Sequence, residues 1–303
     1  MDFPHPCLAV LGDPISHSLS PAMHHAALQS LAPTHPQLSQ VKYLRLHIKS
    51  EELAQALTVL RSKNFIGLNL TVPHKITALS LVKSLSPEAK KAESVNTLVP
   101  TQDGWAGHTT DGQGFLEALN EYSGSGVTQK DVIILGAGGA ARAIAASCIQ
   151  ANCRSLMIAN RDITKAENLV KALNDPRVSA VGLKEIGTIQ SGAIIVNCTT
   201  LGLKPDDALP LAESLLKNAG FIFDTTYGAH ETSLIKTANK LGVKWSFTKT
   251  DMVAACLYFC PTGPTAPPQQ PPTCRTPPAS VTPSCPGSRR THGSCPTTSS
   301  PEP

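Results

Sequence analysis

Apolar residues along this chain fall into two periodicities that take turns, a period of two that suits strands and a period of 3.6 that suits helices. In the first third, CLAVLG reads as a strand and SPAMHHAALQSL as a helix capped by Ser20, with Pro21 at its first position. VKYLRLHI alternates like a strand, SEELAQALTVLRS is a helix capped by Ser50, and IGLNLTV is a strand. PHKITALSLVKSL predicts a helix from Pro73, SPEAKKAESV a short helix and VNTLVP an extended segment. Strands alternating with helices predict an α/β fold with a mostly parallel sheet covered by helices.

The rhythm repeats after a bridging helix, DGQGFLEALNEYS, over Asp111–Ser123. The later strands are DVIILG, SLMIAN, VSAVGL, AIIVNCT, FIFDTTY and VKWSF, with helices at AENLVKALN, LAESLLKNA and ETSLIKTANKL. The first of these strands runs directly into Gly136, Ala137, Gly138, Gly139 and Ala140, and a helical pattern follows. A strand, a glycine turn and a helix start aim backbone N–H groups at a phosphate. Gly136 permits the turn, Gly138 lets the backbone approach the phosphate, and Gly139 and Ala140 keep the helix close to the strand. At the end of the next strand, where an NAD site carries an acid for the ribose 2′-OH, this chain has Asn160 and Arg161, with Lys165 one turn on. Cations there suit a 2′-phosphate, so the cofactor predicted is NADP rather than NAD. The expected fold is therefore two α/β domains. One spans 1–110 and a doubly wound Rossmann domain spans 111–250. A short helix at 251–260 and a Pro-rich, disordered tail at 261–303 complete the chain.

Composition narrows the class. A chain of 303 residues with 41% apolar content has enough material for two soluble cores. The net charge of +4 is spread along the chain, so no nucleic-acid partner is expected. No apolar run approaches membrane-spanning length, and the N-terminus MDFPHPCLAV lacks the basic region of a secretory signal. The nine cysteines form no CxxC pair and no His/Cys metal spacing, so no metal is expected. Cys148, Cys153 and Cys198 read as buried thiols of a cytoplasmic protein.

Three polar clusters sit just past strand ends in the first domain, where open α/β sheets place ligands. They are SHSLSP, with Ser16, His17, Ser18 and Ser20; NLTVPHK, with Asn69, Thr71 and Lys75; and VNT followed by HTTDG, with Asn96 and Asp111. Hydroxyls, amides, one ammonium and one carboxylate suit a small polyhydroxylated carboxylic acid, and Lys75 with Asp111 can manage a proton. Each residue also has a structural reading. Ser18, Ser20 and Asp111 are candidate helix caps, and Met23-His24-His25 reads as helix surface. Thr199 and Thr200 either line a cofactor pocket or merely end a strand. Lys75 in a first helical turn opposes the helix dipole, which favours a functional reason for its presence.

The motifs SHSLSP, NLTVPHK, SVNTL, TTDG, GAGGAAR, NR and DTTY, in this order, closely resemble those of shikimate dehydrogenase from about residue 7 to about residue 251. The resemblance implies reversible NADP-linked reduction of 3-dehydroshikimate to shikimate in a cleft between two domains, with residues 1–110 as the substrate domain. It implies that Ser18 and Ser20 hold the substrate carboxylate, that Thr71, Asn96 and Asp111 bind ring hydroxyls, and that Tyr227 closes the substrate side. Lys75 would be the proton donor and acceptor, paired with Asp111. Gly136 to Ala140 would cradle the pyrophosphate, Asn160, Arg161 and Lys165 would meet the 2′-phosphate, and Thr225 of DTTY would join the cofactor site. A homodimer is compatible with this reading.

The chain departs from the family pattern after Asp251. The family continues with a Gly, a Met-Leu pair and a substrate-contacting Gln, then a helix that packs back on the substrate domain. Here Met252 replaces the Gly, Phe259 stands near the place of the Gln, and the proline tail replaces the helix. Losing such a helix predicts a destabilised enzyme with weak or no activity. The alternatives are therefore a quinate/shikimate dehydrogenase using NAD, against which Arg161 argues, and a catalytically silent NADP-binding protein.

Overall fold

The computed structural model describes residues 6–16, 18–63, 65–226 and 231–247. Tyr227, His17, the expected helix at 251–260 and the tail at 261–303 lie outside the described residues.

The first half builds one six-stranded sheet. Strand β1 (Cys7–Gly12) leads into helix α1 (Ser20–Leu31), then β2 (Lys42–His47), α2 (Leu53–Arg61) and β3 (Phe65–Leu70). A short α3 (His74–Thr77), β4 (Ser84–Leu85), α4 (Pro87–Ala92), β5 (Thr97–Thr101) and β6 (Gly104–His108) complete it. The order is β2-β1-β3-β5-β6-β4. β2 and β3 flank β1 in parallel, whereas β5 runs antiparallel to both β3 and β6, so the sheet is mixed.

Helix α5 (Asp111–Ser123) matches the predicted bridge. The second sheet follows with β7 (Asp131–Leu135), α6 (Gly139–Gln150), β8 (Ser155–Asn160), α7 (Ile163–Leu173), β9 (Val178–Gly182) and β10 (Ala193–Asn197). A single turn, α8 (Glu213–Leu216), β11 (Ala219–Asp224), α9 (Ser233–Leu241) and β12 (Trp245–Phe247) close it. Its order, β12-β11-β10-β7-β8-β9, is all parallel and doubly wound. The bridging helix belongs to this second core: Phe115 and Phe223 are both fully buried and meet edge to face, with ring centroids 5.0 Å apart.

Several local expectations need correction. Ser20 is the first residue inside α1 rather than its cap, and the backbone N–H of Ser20 is accepted by the hydroxyl of Ser18 at 3.3 Å. Ser50 lies within a 3-10 turn, and the carboxylate of Glu52 accepts from the backbone of Lys49, which takes the cap position. The helix expected over PHKITALSLVKSL stops early, because the backbone N–H groups of Lys83 and Ser86 are captured by the carbonyls of Trp105 and Gly107 on β6. That edge pairing draws Ser84 and Leu85 into β4. LAESLLKNA likewise keeps only the one turn of α8.

Candidate functional site

Lys75, Asn96 and Asp111 come together where the chain leaves β3, enters β5 and starts α5. Chain reversal after β3 is fixed by backbone bonds from Thr71 to Leu11 and from His74 to Thr71. His74 is fully buried and its Nε2 bonds to the carbonyl of Ile48 at 2.8 Å, which anchors α3. Burial lowers the pKa of His74 against the opposing effect of that backbone bond, favouring the neutral ring. Lys75 is thereby set facing α5, and its own carbonyl accepts from Val95, one residue before Asn96.

The Lys75 ammonium donates to Oδ2 of Asp111, and their side chains are 15% and 5% exposed. Oδ1 of Asp111 accepts from Nδ2 of Asn96 at 2.7 Å. That amide also donates to the hydroxyl of Thr110 at 3.0 Å, while its oxygen accepts from the Thr110 backbone at 3.1 Å. Asp111 is thus not a helix cap, a position Thr110 takes: its carboxylate accepts from an ammonium and an amide. A carboxylate with both oxygens engaged holds a lysine side chain in one place, which a proton donor requires.

The loop after β1 begins beside this cluster. Gly12 is pressed against Thr71, since a Cβ there would lie 2.5 Å from Thr71 Cγ2. The loop that carries Ser16 to Ser20 therefore starts beside Thr71. Arg45 on β2 donates to the carbonyl of Ser16 and ties that loop down. Ser18 is half-buried and Ser20 buried; no direct hydrogen bond joins either to Lys75 or Asp111.

The glycines of the turn have three separate reasons. Gly136 has φ +109°, a conformation that disfavours any side chain. A Cβ at Gly138 would meet nothing within 4 Å, and its φ of −82° suits any residue. No protein contact demands a glycine there; a ligand lying against the backbone would. Gly139 is expected to seat the helix against its own strand; the nearest atoms that a Cβ there would meet belong to the first half. A Cβ there would lie 2.5 Å from Lys75 Cβ and 3.0 Å from Ser94 Oγ. The N-terminus of α6 therefore rests on the lysine of the polar cluster. Ala137 is buried and Ala140 half-buried at this turn.

At the edge of the turn, Asn160 donates to the carbonyl of Asp162 at 2.9 Å, and Asp162 caps α7. Arg161 and Lys165 are both exposed. Beyond the turn, the hydroxyl and N–H of Thr225 both bond the carbonyl of Asn197, at 2.8 Å and 3.0 Å. Thr199 and Thr200 follow the end of β10, with Thr199 bonded to Asn197 Oδ1 at 2.7 Å.

Sequence reasoning missed one feature. Asp224 is fully buried and accepts from Thr232, Asn197 and the Thr226 backbone, knitting the ends of β10 and β11 to the start of α9. Burial raises its pKa and those donors oppose the rise. A lone acid ending the apolar run FIFD was the available signal. Cys198, read from the sequence as a buried thiol, is half-buried, unlike Cys148 and Cys153; desolvation and Asp111 push its thiol well up, with Lys75 acting the other way.

Comparison with known proteins gives the following. The family model of the shikimate dehydrogenase substrate binding domain matches residues 10–98, and that of shikimate / quinate 5-dehydrogenase matches residues 118–204. The chain is 38% identical to an NADP(+) shikimate dehydrogenase of Magnetococcus marinus over 235 residues, 76% of this chain and 80% of the relative. A solved shikimate 5-dehydrogenase of Thermus thermophilus, in complex with NADP(H) and shikimate, is 32% identical. It superposes with a TM-score of 0.70 over 84% of this chain and 91% of that one. A 5-ketofructose reductase of Gluconobacter, 26% identical, superposes with a TM-score of 0.68 over 85% of this chain and 92% of that one.

Proposed function

This chain belongs to the shikimate dehydrogenase family, and from that premise we propose how its residues divide the work of an NADP-dependent reduction of 3-dehydroshikimate to shikimate, a step of aromatic amino acid biosynthesis. The observation that carries the proposal is the Lys75–Asp111 pair lying under the first turn of α6.

Lys75 is the proton donor in the reducing direction and the acceptor in the other. Charge builds on the substrate oxygen as the carbonyl is reduced, and an ammonium beside it both stabilises that charge and supplies the proton. Asp111 holds the ammonium in place. Asn96 and Asp111, with Thr71, offer polar atoms to the ring hydroxyls, while Ser18 and Ser20 take the carboxylate and Tyr227 closes the substrate side. Bound NADPH supplies the hydride. The glycine turn fits it: backbone N–H groups at the start of a twelve-residue helix face a space that a side chain at Gly138 would fill. Gly136 to Ala140 would hold the pyrophosphate, with Asn160, Arg161 and Lys165 at the 2′-phosphate and Thr225 on the far side. The same reading places the enzyme in the cytoplasm, where the free thiols Cys7, Cys148, Cys153 and Cys198 stay reduced, and is compatible with a homodimer.

The test is shikimate-dependent reduction of NADP by the purified chain, followed by nicotinamide absorbance, with Lys75→Ala beside it. The expected result is turnover that drops by roughly a thousandfold in Lys75→Ala while NADP still binds. NADP binding without turnover in the parent chain would sink the reading, leaving a silent nucleotide-binding protein.

A further inference from the structure

A chain of hydrogen bonds reaches the Lys75–Asp111 pair from deep inside the first sheet. It begins at Tyr43 on β2, which is 2% exposed and stacked on the ring of His24, with centroids 3.9 Å apart and planes 12° from parallel. The Tyr43 hydroxyl donates to Oδ1 of Asn69 on β3 at 2.7 Å. Nδ2 of Asn69 donates to the hydroxyl of Thr97 at 3.2 Å and to the carbonyl of Asn96 at 3.3 Å. Asn69 and Thr97 face each other across the β3–β5 ladder, so the strand register itself sets this contact. The Thr97 hydroxyl donates to Oδ1 of Asn96 at 2.8 Å, and Nδ2 of Asn96 donates to Asp111 at 2.7 Å.

Every step runs in one direction, toward the carboxylate. That matters because an asparagine amide has an acceptor end and a donor end. Tyr43 donates, so Asn69 turns its oxygen to Tyr43 and its nitrogen to Thr97. Thr97 accepts there, so its own proton goes to the oxygen of Asn96. Asn96 then presents its nitrogen to Asp111. Were Asn96 reversed, a carbonyl oxygen would face a carboxylate and the bond would become a repulsion. Linked donors of this kind reinforce one another in a buried setting.

We propose that Tyr43 and Thr97 are positioning residues for shikimate oxidoreduction, fixing the Asn96 amide and through it the Asp111 carboxylate that holds Lys75. Neither is assigned a contact with substrate or cofactor. The proposal rests on the roles of Lys75 and Asp111 given in the preceding subsection, so its test separates the two.

The test compares Tyr43→Phe, Thr97→Val, Thr97→Ser and the Tyr43→Phe/Thr97→Val double variant. The readouts are kcat and both KM values, the thermal midpoint, and the side-chain amide resonance of Asn96 in the 15N-labelled, ligand-free protein. Tyr43→Phe and Thr97→Val should each lower kcat roughly tenfold, with the KM for NADP unchanged. Thr97→Ser, which keeps the hydroxyl, should restore kcat. The double variant should be no slower than the slower single one, because a broken chain cannot be broken again, whereas two independent structural losses would add. The Asn96 resonance should move in Tyr43→Phe, because the bonds from Tyr43 reach Asn96 through Asn69 and Thr97. Full kcat in Tyr43→Phe, or additive losses in the double variant, would overturn the proposal. A parent chain without turnover would instead sink the assignment of Lys75 and Asp111. The relay is then decided by the Asn96 resonance alone: a shift supports it and a resonance that stays put overturns it.

Discussion

His24 shows how a single side chain departs from its apparent place. It lies in a helix, α1, whose apolar residues form no clear stripe, so nothing in the spacing of Met23-His24-His25 marks one histidine as inside. The expectation of helix surface fails for His24, which is 2% exposed and stacked on Tyr43, with a buried Nδ1 that has no hydrogen-bond partner among the described residues. Its neighbour His25 accepts from the Tyr43 backbone at 3.1 Å. Burial, and the nearby His25, push the pKa of His24 down to about 4, so the ring is neutral in the fold at pH 7. The unfolded chain takes up a proton near the ordinary histidine value, and the folded one only near the lowered value. The His24 contribution is therefore fully present above the unfolded pKa and declines as pH falls through the window between the two. Between pH 7 and pH 5 it amounts to about 2 kcal/mol of lost stability. His24→Phe keeps a ring on Tyr43 and removes the titration. Urea unfolding at both pH values should show a smaller acid loss in His24→Phe than in the parent; equal losses would refute the argument.

Among elements, the glycine turn yields a pair of predictions because adjacent positions are glycine for different reasons. Gly138→Ala adds a methyl where the protein has open space and the backbone is ordinary. Stability should hold or rise by about 0.5 kcal/mol. The KM for NADP should rise roughly tenfold, because the methyl stands where the pyrophosphate is proposed to approach the backbone. Gly139→Ala drives a methyl into Lys75 and Ser94, so it should cost about 1–3 kcal/mol in thermal unfolding and lower kcat as Lys75 shifts. If Gly138→Ala left NADP binding unchanged, the pyrophosphate would have to lie elsewhere.

The turn itself was plain in the sequence, since a strand pattern running into glycines and then a helix pattern has few other readings. Lys75, Asn96 and Asp111 are legible for a related reason: Lys75 and Asp111 start helices and Asn96 stands just before β5, at element ends where polar side chains have no structural need to be so dense. Tyr43 was not. It sits mid-strand in an alternating pattern that accounts for its buried ring and says nothing of its hydroxyl. The β4–β6 pairing was also hidden, because SLVKSL has helical spacing and only the carbonyls of a distant strand override it.

In the molecule as a whole, the two sheets are linked at the site where the reaction is proposed to run. Lys75 stands on α3 beside the first sheet, and Asp111 opens α5, which packs into the core of the second. A nearly buried ion pair is weak evidence for stability when whole, but removing one partner leaves an unpaired charge in a poor solvent. Here the two partners differ. Asp111 is the deeper, at 5% exposed, and in Lys75→Ala it would keep only the Asn96 amide on its carboxylate. Lys75 is 15% exposed, and its ammonium reaches water with a small turn of a flexible stem when Asp111 is neutralised. Lys75→Ala should therefore lose about 3 kcal/mol of unfolding free energy, and Asp111→Asn about 1 kcal/mol, although both should lose most of their turnover. Urea unfolding of the two variants beside the parent checks this ordering. If Asp111→Asn proved the less stable, the carboxylate would be holding the structure together through Asn96 and Thr110, and the lysine would be present for chemistry alone.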